Sequence, residues 1–339
     1  MISRRGFAKA VGAGAAAVSL GGGLAGTAAA ATPGQTGTDL GTFGVLKQVN
    51  AGELNIGYVE NGPADGPVVI CLHGFPYSIY SYVDVAPRLA AAGYRVIVPY
   101  LRGHGSTTFR SAHTRRDAQQ TVFALDLIAL MDALRIDKAI LAGYDWGSRT
   151  ADIVAALWPQ RVKALVSVSG YLITNLKANL SPIAPSLEWA WWYQYYFATE
   201  RGAEGLKANA NGLGAVIWKF NSPTWNYTDA TYQQSAAAFT NPDYTAIVLG
   251  NYRWRLSLIP SNPRYNSIEN LLQRAPSISV PTITVDPTRD PFYAGTGDTG
   301  YRKFFTGPYQ HRLLDVGHNV PQEAPQDFTQ AVLDADKLS

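Results

Sequence analysis

Two kinds of apolar pattern alternate along this chain. Short runs rich in β-branched residues stand at 45–49, 54–59, 67–72, 95–100, 138–142, 162–169, 280–285 and 311–316. The first two flank Asn50-Ala51-Gly52, which is a hairpin signal. The runs at 67–72 and 95–100 are apolar at almost every position, as strands buried on both faces are. Between such runs the period changes. Phe123, Leu127, Leu130, Met131 and Leu134 recur at the spacing of one helix face. Residues 82–92, 150–157 and 326–338 also read as helices, the first ending at Gly93 and the second at Pro159. Strands alternating with helices predict an α/β fold on a mostly parallel, doubly wound sheet.

The alternation stops near residue 172 and returns near 264. In between, aromatic residues crowd together: Trp189, Trp191, Trp192, Tyr193, Tyr195, Tyr196 and Phe197. Residues 173–263 are therefore expected to form a helical lid. The lid would interrupt a sheet domain made of residues 32–172 and 264–339.

Composition adds limits. Of the 339 residues 47% are hydrophobic, ample for a buried core. The formal charge of +3 carries no basic run, so nothing suggests a nucleic-acid partner. Cys71 is the one cysteine, which excludes an intrachain disulfide and a cysteine-based metal cluster. No motif asks for a metal or another cofactor, and none specifies an oligomeric state. Residues 1–31 read as an export signal. Ser3-Arg4-Arg5-Gly6-Phe7-Ala8-Lys9 follows a twin-arginine pattern, and Ala28-Ala29-Ala30-Ala31 offers cleavage sites. The Gly-rich apolar stretch between them falls short of a stable membrane span. The expected location is the periplasm or the outside of the cell.

The chemistry centres on Gly143-Tyr144-Asp145-Trp146-Gly147-Ser148, between a strand-like run and a helix-like stretch. That is the setting of a nucleophile elbow, whose sharp turn needs small neighbours such as Gly143, Gly147 and Ser148. The tip residue is Asp145. A carboxylate with a reference pKa of about 4 is ionised at neutral pH and can attack saturated carbon, forming an ester. Ser148 lies past the tip, so a serine esterase is excluded. His318, in Val316-Gly317-His318-Asn319 after the last strand, is placed to act as general base on water. Asp290, in Thr288-Arg289-Asp290-Pro291, is the expected partner of the imidazole, with Asp286 as its rival. His73-Gly74-Phe75-Pro76 follows a strand, and the Phe75 and Trp146 backbone N–H groups are the expected oxyanion hole. The His73 ring reads as structural. His104, His113 and His311 read as surface or loop residues.

With these residues in place, the chain resembles the α/β-hydrolases, in the branch of epoxide hydrolases and haloalkane dehalogenases. The likeness runs from about Phe43 to the C-terminus. His73-Gly74-Phe75-Pro76 matches the epoxide hydrolase H-G-x-P motif, and Arg102-Gly103-His104-Gly105-Ser106 resembles the family's Arg-Gly-x-Gly loop. That loop lacks the usual preceding acid, since Tyr100-Leu101 stands there. The resemblance implies an α/β-hydrolase fold and an Asp145–His318–Asp290 triad. It also implies two lid tyrosines that donate to an epoxide oxygen. Tyr193 and Tyr252 match those segments, and Tyr195 and Tyr196 are fallbacks.

Two chemistries remain. An epoxide needs an acid for its oxygen, and a phenol of pKa about 10 is suitable. A halide needs N–H donors, which the Trp146 indole supplies in haloalkane dehalogenases. Phe75 stands where those enzymes place Asn or Glu, and the lid has no histidine for the His-Trp pair of fluoroacetate dehalogenases. The expected activity is epoxide hydrolysis to a diol, with organohalide hydrolysis as the alternative and a non-catalytic binding protein as a minor one. A small apolar or aromatic substrate is expected, in a pocket walled by Trp146, Phe75, Trp192 and Tyr196.

Overall fold

The β-branched runs pair into one sheet in the computed structural model, which describes residues 37–293 and 295–339. The expected export signal lies outside the described residues. The strands are β1 (Thr38–Asp39), β2 (Val45–Ala51), β3 (Leu54–Asn61), β4 (Val68–Leu72), β5 (Arg95–Pro99), β6 (Thr108–Phe109), β7 (Ala139–Gly143), β8 (Val162–Val168), β9 (Thr282–Pro287) and β10 (Tyr309–Leu314). Their order is β1-β2-β3-β5-β4-β7-β8-β9-β10, with β6 beside β3. The β2–β3 hairpin turns at Gly52 and pairs Val45 with Glu60 through Ala51 with Leu54. From β5 to β10 every neighbouring pair is parallel. The central strands β4, β5 and β7 are almost wholly buried, which explains their unbroken apolar sequence.

Helices cover the sheet: α1 (Val85–Ala91), α2 (Gln120–Ala133), α3 (Trp146–Leu157) and, after β10, the terminal helices. α3 starts at Trp146, earlier than the pattern predicts, because the chain enters the helix directly from the turn at Asp145. Between β8 and β9 the chain is helical: α4 (Pro185–Ala190), α5 (Trp192–Ala198), α6 (Glu200–Asn221), α7 (Asp229–Ala236), α8 (Tyr244–Arg255) and α9 (Asn266–Leu272). These helices share a core with the sheet, since Tyr193, Phe197, Ile217, Trp218 and Tyr252 belong to the same apolar cluster as Val69, Ile140 and Leu165. α10 (Val320–Glu323) and α11 (Pro325–Lys337) close the chain. Among the described residues no helix is long and apolar enough to cross a membrane.

Arg102 is buried and grips Asp126 of α2 with two hydrogen bonds of 2.7 Å, so the missing acid before the loop is replaced from a helix.

Candidate active site

Asp145 sits at the C-terminal end of β7 with φ 51° and ψ −122°, a left-handed conformation that only a tightly held turn sustains. The neighbours explain how it is held. A side chain at Gly147 would collide with the Leu72 carbonyl, and one at Gly143 with the Gly147 backbone. Ser148 Oγ donates to Gly143 O at 2.7 Å and accepts from Val168 N–H at 3.0 Å, tying the elbow to β8. The Phe75 N–H, just past β4, donates to Asp145 Oδ1 at 2.7 Å. The Trp146 N–H belongs to the first turn of α3, where backbone donors lack intrahelical partners.

His318 and Asp290 reach the same place from the ends of β10 and β9. His318 Nδ1 lies 2.6 Å from Asp290 Oδ2, and its Nε2 lies 3.6 Å from Asp145 Oδ2. All three side chains are largely buried. Burial alone would lower the His318 pKa, but the Asp290 and Asp145 charges outweigh it and raise it to about 10. Burial works against ionised Asp145 too, yet the adjacent His318 and the hydrogen bond from the Phe75 N–H keep the carboxyl below the usual range. Asp286 is elsewhere: it faces His311 at 3.8 Å. Asp315 pairs with Arg289 at 2.6 Å on the surface.

Tyr193 of α5 and Tyr252 of α8 are buried, with ring centroids 5.5 Å apart. Both feel the Asp145 charge. Burial first, and the neighbouring charges next, push both phenols well above their ordinary pKa, so both keep their protons. Phe75 stacks on Trp146 at 5.6 Å and meets Tyr252 at 5.2 Å, Tyr193 at 5.9 Å and Phe197 at 5.9 Å. Phe292 caps His318 at 5.4 Å. The side-chain N–H of Trp146 and the hydroxyl of Tyr252 are buried without a hydrogen-bond partner.

Trp192 and Tyr196 lie beside the Tyr193 and Phe197 rings. Their rings pack on each other, with Trp192 against Tyr193 and Tyr196 against Phe197. Tyr196 is tucked against Gly205 of α6, Phe197 meets Phe75, and Phe292 meets His318. Tyr195 is exposed and bonds Glu188. His73 is buried; its Nε2 accepts from the Leu101 N–H at 3.1 Å, and burial followed by the nearby His104 lowers its pKa to about 3. His104 departs from the surface expectation. It is buried against the Trp146 and Tyr244 rings, because the Arg102 loop folds inward beneath the lid. Sequence reasoning also missed Phe292, Phe197, Arg149, Arg255 and Glu323. Phe292 follows Asp290 by two residues, and Arg149 follows Asp145 by four, so proximity to a predicted catalytic residue was the available signal.

Comparison with known proteins adds the lineage of this arrangement. A family model described as the alpha/beta hydrolase fold matches residues 67–321. A protein of Klebsiella pneumoniae assigned as an epoxide hydrolase is 53% identical, covering 86% of this chain and 97% of that one, and its crystal structure superposes with a TM-score of 0.84. Epoxide hydrolase A of Mycobacterium tuberculosis is 24% identical over 318 residues, 84% of this chain and 95% of that protein. A haloalkane dehalogenase of Mycobacterium marinum is 31% identical over 209 residues, 59% of this chain and 67% of that protein.

Proposed function

The chain belongs to the alpha/beta hydrolase fold family, and on that premise we propose that it hydrolyses epoxides to vicinal diols through an ester on Asp145. The observation that carries this reading is the pair of lid phenols, Tyr193 and Tyr252, facing each other beside the Asp145 carboxylate. An alkoxide is a poor leaving group, and two neutral phenols supply the acid it needs.

In the first half-reaction an Asp145 oxygen attacks an epoxide carbon, the C–O bond breaks, and a tyrosine proton passes to the departing oxygen. Solvent restores that proton. Esterification removes the Asp145 charge, which was one of two holding His318 protonated. His318 therefore releases its proton to solvent and becomes a base at the moment one is needed. It takes a proton from water, and the hydroxide adds to the Asp145 carboxyl carbon. The Phe75 and Trp146 N–H groups hold the oxyanion; as it collapses the ester C–O bond breaks, His318 returns its proton to the departing oxygen, and the diol leaves with Asp145 regenerated. Asp290 orients the imidazole and balances its charge. The aromatic walls suit an apolar or aromatic substrate body, covered by the lid that we assign to residues 173–263.

Single turnover in oxygen-18 water tests the mechanism. The first diol should carry unlabelled enzyme oxygen, with label entering Asp145. Label in the first diol would sink the ester route.

The buried, unpartnered Trp146 side-chain N–H favours a second reading, halide release by the same triad. Wild-type protein that ignores epoxides, together with halide release that survives Tyr252→Phe, would favour it. We also propose export through the twin-arginine pattern at Ser3–Lys9. Replacing Arg4 and Arg5 by lysine should trap the protein in the cytoplasm, and unchanged fractionation would refute the proposal.

A further inference from the structure

An open apolar groove adjoins the loop that carries Phe292. The Phe292 ring meets His318 at 5.4 Å, Tyr193 at 6.5 Å and Trp191 at 4.8 Å. Its N–H donates to Asp290 Oδ1 at 3.0 Å, so the acid beside His318 also holds this aromatic wall. Phe75, Tyr193 and Tyr252 are buried, whereas Phe292 and Trp191 are partly exposed. Of these aromatic walls, the one that faces solvent is therefore the Phe292 side.

The groove has a volume of about 730 Å³, within the range of small-molecule sites. Trp189 of α4, Val216 and Phe220 of α6, Pro223 and Pro291 line it. Trp189 packs edge-on against Phe220 at 5.0 Å and is still 68% exposed, and Val216 is 54% exposed. Apolar surface gathered in one concave place marks a binding site, unlike apolar residues scattered singly. Lys219 is the charged residue of the lining, which disfavours a cationic ligand. Two sides of the groove back on the triad. Pro291 is the residue between Asp290 and Phe292. Phe220 and Pro223 flank Asn221, whose carbonyl accepts from the His318 N–H at 3.1 Å, and Ser222, whose Oγ donates to Glu323 at 2.6 Å. The groove thus starts one residue from Asp290 on one side and one residue from a backbone partner of His318 on the other.

We propose that this groove binds the apolar tail of an elongated substrate, so that the preferred epoxide carries a long alkyl chain. This rests on the epoxide reading. The catalytic side chains stand behind Phe292 and do not line the groove, so the epoxide stays at Asp145 and the chain passes Phe292 to lie on Trp189, Val216 and Phe220. A compact substrate leaves the groove to water. A chain that enters it covers exposed apolar surface, and each fully buried methylene is worth about fourfold in affinity.

The test compares kcat/KM for 1,2-epoxyhexane and 1,2-epoxydecane, both kept in true solution, in wild type and Val216→Asp. The expected wild-type value is about tenfold or more higher for the longer chain. Val216→Asp should lose that preference through KM and keep the wild-type rate on 1,2-epoxyhexane, since the exposed Val216 lies outside the catalytic machinery. Equal values in wild type, or a preference that Val216→Asp leaves intact, overturns the groove as the chain site; turnover of 1,2-epoxyhexane shows that the epoxide reading still stands. If neither epoxide is opened, it is the epoxide reading that fails, and calorimetric binding of decane-1,2-diol and hexane-1,2-diol decides the groove. Binding of the longer diol about tenfold tighter, lost in Val216→Asp, supports it, and no binding or equal binding overturns it. A chain preference that stays intact while Val216→Asp abolishes a dimer, or binding to phosphatidylcholine vesicles, assigns the groove to a second copy or to a membrane and overturns the proposal. Should Val216→Asp not fold, Trp189→Gln takes its place with the same outcomes.

Discussion

Glu323 brackets His318. Its carboxylate accepts from the Gly317 N–H at 2.8 Å and from the Asn319 N–H at 3.1 Å, the residues on either side of the histidine. Ser222 Oγ donates to the same carboxylate at 2.6 Å, and the His318 N–H bonds Asn221 O at 3.1 Å. The loop that carries the imidazole is thus pinned from α6 and α10. Glu323→Ala should displace the ring from Asp145 and slow ester hydrolysis by about 10–100-fold. The ester should then accumulate, visible as added mass on quenched enzyme. Glu323→Gln keeps one acceptor oxygen and should recover part of the rate. A Glu323→Ala protein that accumulates no ester would refute the positioning role.

The charge on His318 should depend on Asp145. Two carboxylates raise the imidazole to about 10 against the pull of burial. Asp145→Asn mimics the ester by removing one charge, so NMR titration should find a lower His318 pKa in the variant. The sign for stability follows. A pKa raised by folding stabilises fully below the unfolded value of about 6.5, and the gain is lost as pH rises through about 10. Wild type should therefore lose stability relative to Asp145→Asn between neutral pH and pH 10. Equal His318 pKa values in the two proteins would refute the switch.

Asp290 and Asp286 should behave differently, although both are buried acids near the end of β9. Asp290 lies 2.6 Å from His318 Nδ1, whereas Asp286 faces His311. Asp290→Asn should slow ester hydrolysis by about 10³–10⁴-fold, because the imidazole loses its orienting charge. Asp286→Asn should accumulate no ester. Rapid-quench mass spectrometry separates the two, and the opposite pattern would reassign the acid.

Ser148 is a structural lock. Its hydroxyl joins Gly143 O to the Val168 N–H inside the core, so Ser148→Ala leaves two buried backbone groups unpaired. The expected loss is about 1–3 kcal/mol. Denaturant unfolding should show a lower midpoint at unchanged slope.

The parts of the site that were legible in the sequence are those with local signatures. The elbow, the His73–Pro76 turn and His318 each directly follow a strand-like run, and a parallel sheet brings such strand ends together. Tyr193 and Tyr252 needed resemblance, since nothing in a helix's own period says which face will roof a pocket. His104 was misread for a related reason. A histidine in a Gly-rich loop looks exposed until the lid that covers the loop is in place.

The sequence by itself determined the alternating sheet, the helical run between its strands and the place of Asp145 at the elbow. These follow from hydrophobic period and from one residue type at the tip of a strained turn. Only the tertiary structure decided that Asp290 rather than Asp286 meets His318, that Phe292 caps His318, and that Arg149 and Arg255 lie buried on one cavity. Each of those outcomes depends on how distant helices and strand ends pack, and packing is a property of faces in contact that no single stretch of chain encodes.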